Sequence, residues 1–305
     1  MNFEKVAKSF KMHFGRECEA ICFSGLGIPI MTGKGISLCA SLSAGGCLAL
    51  SARGDGRFTA EFDDSQKYVS ANVSELMYHK GEPMLEFLEK VQRRGTVLGG
   101  ADVMFQYSAK ICGGYEPLLL ASACLFCPKT LPPAEIKSCL SNPMRDFVSM
   151  AGRRETFMYI QGEKHIYIKF SDSIAKIVLC CINEENRIEE ADSAVLKSAA
   201  LSLSAGDYIR FGKSLTEEYG RLIKGGGAGK RTKSLFETAV CLKDALGLGI
   251  LEKGGIFAVV ENNKVNAFIQ NLKKEYENYC GASPDFYVTR TENSGINFLI
   301  RKKDL

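Results

Sequence analysis

The chain has 305 residues, 46% hydrophobic and 24% charged, with 39 basic and 35 acidic side chains and a net charge of +4. This is the balance of a globular protein long enough to bury a core without covalent staples, as one large domain or two modest ones. It argues against a nucleic-acid binder, whose basic residues would be concentrated, since the longest basic cluster is Arg301-Lys302-Lys303 at one end, and against a membrane span, since no apolar run is long enough.

In chain order, residues 2–13 have helical spacing, with Phe3, Val6 and Phe10 set against Glu4, Lys5, Lys8 and Lys11. "EAICFS" reads as a short strand and is followed by the glycine-rich "SGLGIPIMTGKGIS". "CLALSA" and "FTAEF" read as strands joined by an "RGDGR" hairpin turn. "ELMYHKGEPMLEFLEKVQRRG" is patterned as helix and "ADVMFQYSA" as strand. "EPLLLASACLFC" reads as a buried helix stopped at Pro128, and "PPAEIKSCLS" and "MRDFVSMAGRR" as helices. "FMYIQGEKHIYIKF" is strand, turn and strand, and "AKIVLCCINEE" is a strand. The long helical stretch from "IEEADSAV" to "YGRLI" leads through "KGGGAGKR" to the helix "TKSLFETAVCLKDALG". Strand "GIFAVVE", an amphipathic helix ended by glycine, and strands "DFYVTRT" and "NFLIRKK" follow. Strand groups and helix groups, without strict alternation, give the fold class α+β. The natural boundary falls near residues 171–175, giving units 1–174 and 175–305.

The twelve cysteines, with no leader pattern in "MNFEKVAKSFKMHFGRE", point to free thiols in a reducing cytoplasm. Cys124 and Cys127 form a CxxC, but only three histidines (His13, His79, His165) and no second CxxC accompany it. Buried thiols are favoured over a metal site, and no metal ligand is assigned. Three glycine segments could cradle phosphate. "KGGGAGKR" has Gly229-Lys230 but Lys224 and Arg231 where a phosphate loop needs glycine and Ser/Thr. "TGKGIS" lacks the upstream glycine. "CGGYEPLLLASA" follows a strand and opens a helix, yet Glu116 would satisfy the helix dipole and repel an anion.

Several segments resemble galactokinases. They are "HFGRECEAICFSG", "LSAGDYIRFGKSLTEE" and "KGGIFAVVENNKVNAFIQNLKKEYENYCGASPDFYVTRT", and their order and spacing fit nearly the full length. The resemblance implies the two-domain fold of the GHMP kinase superfamily. Its N-terminal domain would be like the second domain of ribosomal protein S5 and its C-terminal domain ferredoxin-like. It also implies Mg-ATP-dependent phosphorylation of galactose, within carbohydrate metabolism.

The motifs that carry that chemistry in the family are altered here. Aligned from Phe23, the sugar signature PGR-x-NLIGEHTDY has Gly27 for its arginine, Pro29 for its asparagine, Gly33 for its glutamate and Lys34 for its histidine. Glycine and proline offer a sugar no side-chain hydrogen bond. The phosphate loop G-x-GLSSSA-S is matched by "GGYEPLLLASA", where Gly113 and Gly114 remain but Leu118, Leu119 and Leu120 stand near the serines. The helix MDQF-x-S is matched by "MRDFVSMAGRR". Arg145 takes the place of the aspartate that would accept the sugar proton, and Asp146 serves only if the register slips by one. The third motif, TGAGFGG, keeps only Gly254 and Gly255.

Phosphoryl transfer rests mainly on positioning and electrostatic stabilisation, and these replacements together remove most of both. The expectation is a galactokinase-like protein without catalytic activity, needing no cofactor. A cleft bearing Gly33, Lys34, Arg145 and Asp146 would take a small anionic or sugar-like ligand, and no protein partner is assigned. Two alternatives stay open: an active small-molecule kinase using Mg-ATP in a rebuilt site, and an interaction protein whose cleft is closed. Gly254 and Gly255 are expected to serve a tight turn rather than a nucleotide.

Overall fold

A computed structural model describes residues 3–62, 68–94, 99–107, 118–119, 140, 143–187 and 190–293. The chain forms two compact units interleaved in sequence. One comprises residues 1–27, 43–151 and 293–305, the other 28–42 and 152–292. Residues 152–174 thus group with the second unit, and the long strands β1 (Ala20–Gly33) and β2 (Ile36–Arg53) supply residues to both.

In the first unit, α1 (Phe3–Phe14) is amphipathic, and Val6 and Phe10 are fully buried among Ile21, Phe23, Cys47, Ala49 and Met104. The unit's sheet has the order β4 (Tyr68–Asn72), β3 (Arg57–Phe62), β5 (Gly100–Tyr107), β2. Between β4 and β5 the chain makes a 3-10 turn, Val73–Tyr78, and helix α2, Pro83–Arg93, with proline at its start. A continuous helix was expected there. Gly81 adopts φ +91° between the two pieces, a conformation that interrupts a helix and favours glycine. Met84, Phe87, Leu88 and Val91 bury the inner face of α2 against the sheet.

The expected hairpin between "CLALSA" and "FTAEF" does not form. β5 lies between them, antiparallel to β2 from Gly46↔Tyr107 to Arg53↔Gly100 and parallel to β3 from Phe58↔Ala101 to Phe62↔Phe105. "RGDGR" is therefore a bridging loop. Two features make room for the inserted strand. A Cβ on Gly100 would stand 2.7 Å from the Arg57 nitrogen, so only glycine fits there. The buried Asp102 of β5 binds Arg53 at 2.9 Å and Arg16 at 2.6 Å, tying the loop's start to the inserted strand.

The second unit contains the start of β2 paired with β6 (Thr156–Gln161), which pairs with β7 (Lys164–Lys169). It also contains a four-stranded sheet of order β11 (Asp285–Thr289), β8 (Ala175–Cys181), β10 (Gly255–Glu261), β9 (Gly247–Ile250), antiparallel throughout. β8 and β10 are central and buried almost throughout, which matches their unbroken apolar runs. Helices α4 (Ser193–Ser204), α5 (Tyr208–Lys224), α6 (Lys230–Leu242) and α7 (Val265–Cys280) complete the unit. Asp192 and Asp207 cap α4 and α5 by accepting from the Ala194 and Arg210 N–H groups. Gly281, at φ +66°, ends α7. β9, which the sequence did not announce, lies under α5, where Gly212 and Gly247 let the two backbones touch.

Candidate functional site

The glycine-rich signature segment is not a loop. β1 runs unbroken from Ala20 to Gly33, buried at nearly every position. Among the described residues its only strand partner is β2, with one isolated bridge from Gly33 to Ala191, so Pro29, which lacks an N–H, is tolerated on an edge. Lys34 and Gly35 form the exposed turn into β2, with Gly35 at φ +71°. Gly33 is buried beside residue 191, where a Cβ would lie 3.0 Å from the Ala191 carbonyl oxygen and 3.2 Å from Ser193 Oγ.

Helix α3 (Pro143–Ala151) seals the signature's arginine position within the first unit. The Gly27 N–H donates to Ser149 Oγ at 2.8 Å, and the buried Ser24 hydroxyl donates to the Ser149 carbonyl at 3.3 Å. A Cβ on Gly27 would sit 2.1 Å from the Arg145 carbonyl oxygen and 2.7 Å from Ser149 Oγ. Real Cβ atoms do not approach backbone so closely, so no side chain fits at residue 27 while α3 is in place. Ser149 thus binds β1 to the helix.

On the same helix, Asp146 is 1% exposed and stands 3.7 Å from Arg145 Nε. Arg145 keeps 19% of its side chain exposed. Leu118 and Leu119, near the serine positions of the phosphate loop, are 1% exposed and belong to the hydrophobic core of this unit, with Leu48, Phe105 and Val103. A Cβ on Gly46 would already press to 3.0 Å on Leu118 Cδ1. Gly113, Gly114, Leu120, Cys124 and Cys127 lie outside the described residues, as do the helices expected at "ACLFC" and "PPAEIKSCLS" and the strand expected at "NFLIRKK".

Gly254 ends the turn between β9 and β10 in the second unit and Gly255 begins β10, at φ +96° and +92°. A Cβ on Gly254 would meet the Glu184 carbonyl oxygen at 2.1 Å, and one on Gly255 the Cys180 carbonyl oxygen at 2.0 Å. The Gly255 N–H donates to the buried Thr232 hydroxyl at 3.1 Å. The glycine loop preceding α6 faces this turn. Asn186 Oδ1 accepts from the Gly229 N–H at 3.0 Å, and the Glu184 carboxylate accepts from Arg231 N–H at 3.3 Å and Thr232 N–H at 2.7 Å. The N–H groups that a phosphate would use at this helix start are thus occupied by the protein's own side chains. Burial pushes the Glu184 carboxyl up, but the Thr232 and Arg231 donors outweigh it and hold it below its ordinary value.

Of the residues expected to share a cleft, Arg145 and Asp146 belong to the first unit and Gly33 and Lys34 to the second; Gly254 and Gly255, the remnant of the third motif, belong to the second. Glu184 and Asn186 were missed by sequence reasoning. Their one signal was an acidic, amide-bearing run, "INEEN", directly after a buried strand.

No family model matches the chain. A galactokinase of Streptococcus suis is 33% identical over 131 residues, 40% of this chain, so the match spans about a third of that relative's length. Among solved structures, galactokinase from Lactococcus lactis, complexed with galactose, superposes with a TM-score of 0.82 at 16% identity, covering 96% of this chain and 98% of that one. Mevalonate kinase from Methanococcus jannaschii gives a TM-score of 0.64 at 10% identity, covering 90% and 98%. A heptose 1-phosphate kinase from Bacteroides thetaiotaomicron gives 0.60 at 15% identity, also covering 90% and 98%. The chain thus shares the α+β fold of galactokinase and mevalonate kinase, and 131 of its residues are similar in sequence to a galactokinase.

Proposed function

We propose that this chain is a galactokinase-like protein without phosphotransferase activity, which keeps the scaffold for binding a small ligand or for regulation. Residues 1–174 and 175–305 are then the counterparts of the kinase's two domains. The observation that carries the reading is the seam at Gly27. The position matched to the signature arginine is closed by the Arg145 carbonyl and Ser149 Oγ, and the position matched to the catalytic aspartate is itself Arg145. An arginine stays protonated at neutral pH and cannot accept the sugar proton. The neighbouring Asp146 is buried and next to that arginine, a setting that suits a structural carboxylate better than an exposed base. Leucines 118 and 119 in the core supply no hydroxyl to a phosphate or to Mg²⁺. In this reading no cofactor is required and Mg-ATP has no chemical role.

The alternative, an active kinase in a rebuilt site, would bind Mg-ATP. A thermal-shift panel of nucleotides, sugars and sugar phosphates, with and without Mg²⁺, separates the two. Stabilisation by a sugar or sugar phosphate with no response to Mg-ATP fits the proposed function. Stabilisation by Mg-ATP, with phosphorylation of any sugar in the panel, supports the alternative.

A further inference from the structure

Helices α5 and α6 leave an open groove of about 600 Å³ between them. It lies within the second unit and involves none of the residues aligned with the family's sugar, phosphate, base or third glycine motifs. The volume falls inside the roughly 300–1,000 Å³ typical of small-molecule sites. Its apolar lining comes from Gly220, Ile223, Phe236 and Val240, and Val240 is 41% exposed, an apolar surface left open to solvent. The thiol of Cys241 also lines the groove and is exposed.

The charges on the groove are unevenly paired. Glu217 has Lys213 at 3.8 Å, Glu237 has Lys233 at 4.0 Å, and Arg221 binds Glu218 at 2.7 Å. Lys224 also lines the groove, and among the described residues it pairs with no carboxylate. It is not needed at the end of α5 either. The N–H groups of Gly225, Gly226 and Gly227 donate to the Arg221, Ile223 and Leu222 carbonyls, so three of the helix's last four acceptors are already served. One cation beside an open apolar trough complements a single anionic head on an apolar tail.

We propose that this groove binds a small amphiphilic carboxylate, with its aliphatic tail along Ile223, Phe236 and Val240 and its head against Lys224. Octanoate, used below its micelle concentration, is the probe, and Cys241 is the reporter. Alkylation of Cys241 by iodoacetamide is followed by mass spectrometry of its peptide. Octanoate is expected to slow that alkylation saturably, while octylammonium, with the same tail and the opposite head, does not. Lys224→Glu should raise the half-maximal octanoate concentration at least tenfold, and Lys224→Gln should raise it by less. Both variants change an exposed residue, and unchanged melting shows that they fold. No protection by octanoate, equal protection by octylammonium, or protection unaltered in both variants overturns the proposal. The comparison of the two head groups on the unmodified protein stands even if a variant folds poorly.

Discussion

Replacing Gly27 by alanine tests whether helix α3 closes the signature position. The added Cβ would lie 2.1 Å from the Arg145 carbonyl oxygen and 2.7 Å from Ser149 Oγ. The first contact is with backbone that cannot rotate away, so α3 must retreat by more than an ångström. Overpacking of this kind costs about 1–3 kcal/mol, and a rigid backbone neighbour places it toward the upper end. The retreat also stretches the Gly27 N–H···Ser149 Oγ bond, now 2.8 Å and buried, worth about 1 kcal/mol. Against this, alanine restricts the unfolded chain and favours the extended backbone of β1 by roughly 0.5–1 kcal/mol. The net expectation is a loss of about 2–3 kcal/mol. At about 2–4 °C per kcal/mol, the melting transition should fall by about 4–12 °C. The protein has no tryptophan, so urea and thermal melts followed by far-UV circular dichroism, with calorimetry, are the suitable assays. A Gly27→Ala variant within about 0.5 kcal/mol of the parent, the size of an ordinary surface effect, would refute the closed-seam reading.

Further expectations concern the second unit and the base position. Gly255→Ala should destabilise by about 2 kcal/mol or more, since φ is +92° and the Cβ would meet the Cys180 carbonyl, and a urea melt reads this directly. Glu184→Gln should cost about 0.5–1.5 kcal/mol at neutral pH by weakening the cap on α6. Because the folded-state value of Glu184 is depressed, its contribution is present above the ordinary value of 4.5 and is lost as pH falls through the lower folded value. The gap between parent and variant in denaturation midpoint should therefore close below pH 4.5, and a gap independent of pH contradicts the assignment. Under the proposed function, Arg145→Asp places an aspartate where the galactokinase pattern has one but leaves Gly27 and the core leucines 118 and 119 as they are, so galactose phosphorylation should stay at background. Activity regained from that one change would show that the missing base is the sole defect.

Periodic segments were read from the sequence with little error, because a buried face leaves its period in the residue types. This holds for α1, α5, α7 and the apolar runs of β8 and β10. Pairing was harder. "RGDGR" carries every local mark of a hairpin turn, yet β5 enters between the strands it joins, an arrangement that depends on the absent side chain of Gly100 and on Asp102, forty-odd residues away. The glycines of "SGLGIPIMTGKGIS" also misled as structure. They looked like loop, but Gly27 and Gly33 are sites where α3 and residues 191–193 press on a strand, and nothing local distinguishes close approach from flexibility. The galactokinase pattern drew attention to residue 27. The closure of residue 27 by the Arg145 carbonyl was not legible, because it is a contact between segments more than a hundred residues apart. Glu184, placed at the start of α6 by a turn of the chain after β8, was hidden for the same reason.

The central claim is that a galactokinase scaffold persists here without galactokinase chemistry. The most direct test incubates the purified protein with radiolabelled ATP, Mg²⁺ and galactose, then a panel of other sugars, and measures phosphorylated product against a no-protein blank. The account predicts product at the level of the blank for every sugar. Saturable phosphorylation of galactose, proportional to protein concentration, would contradict it.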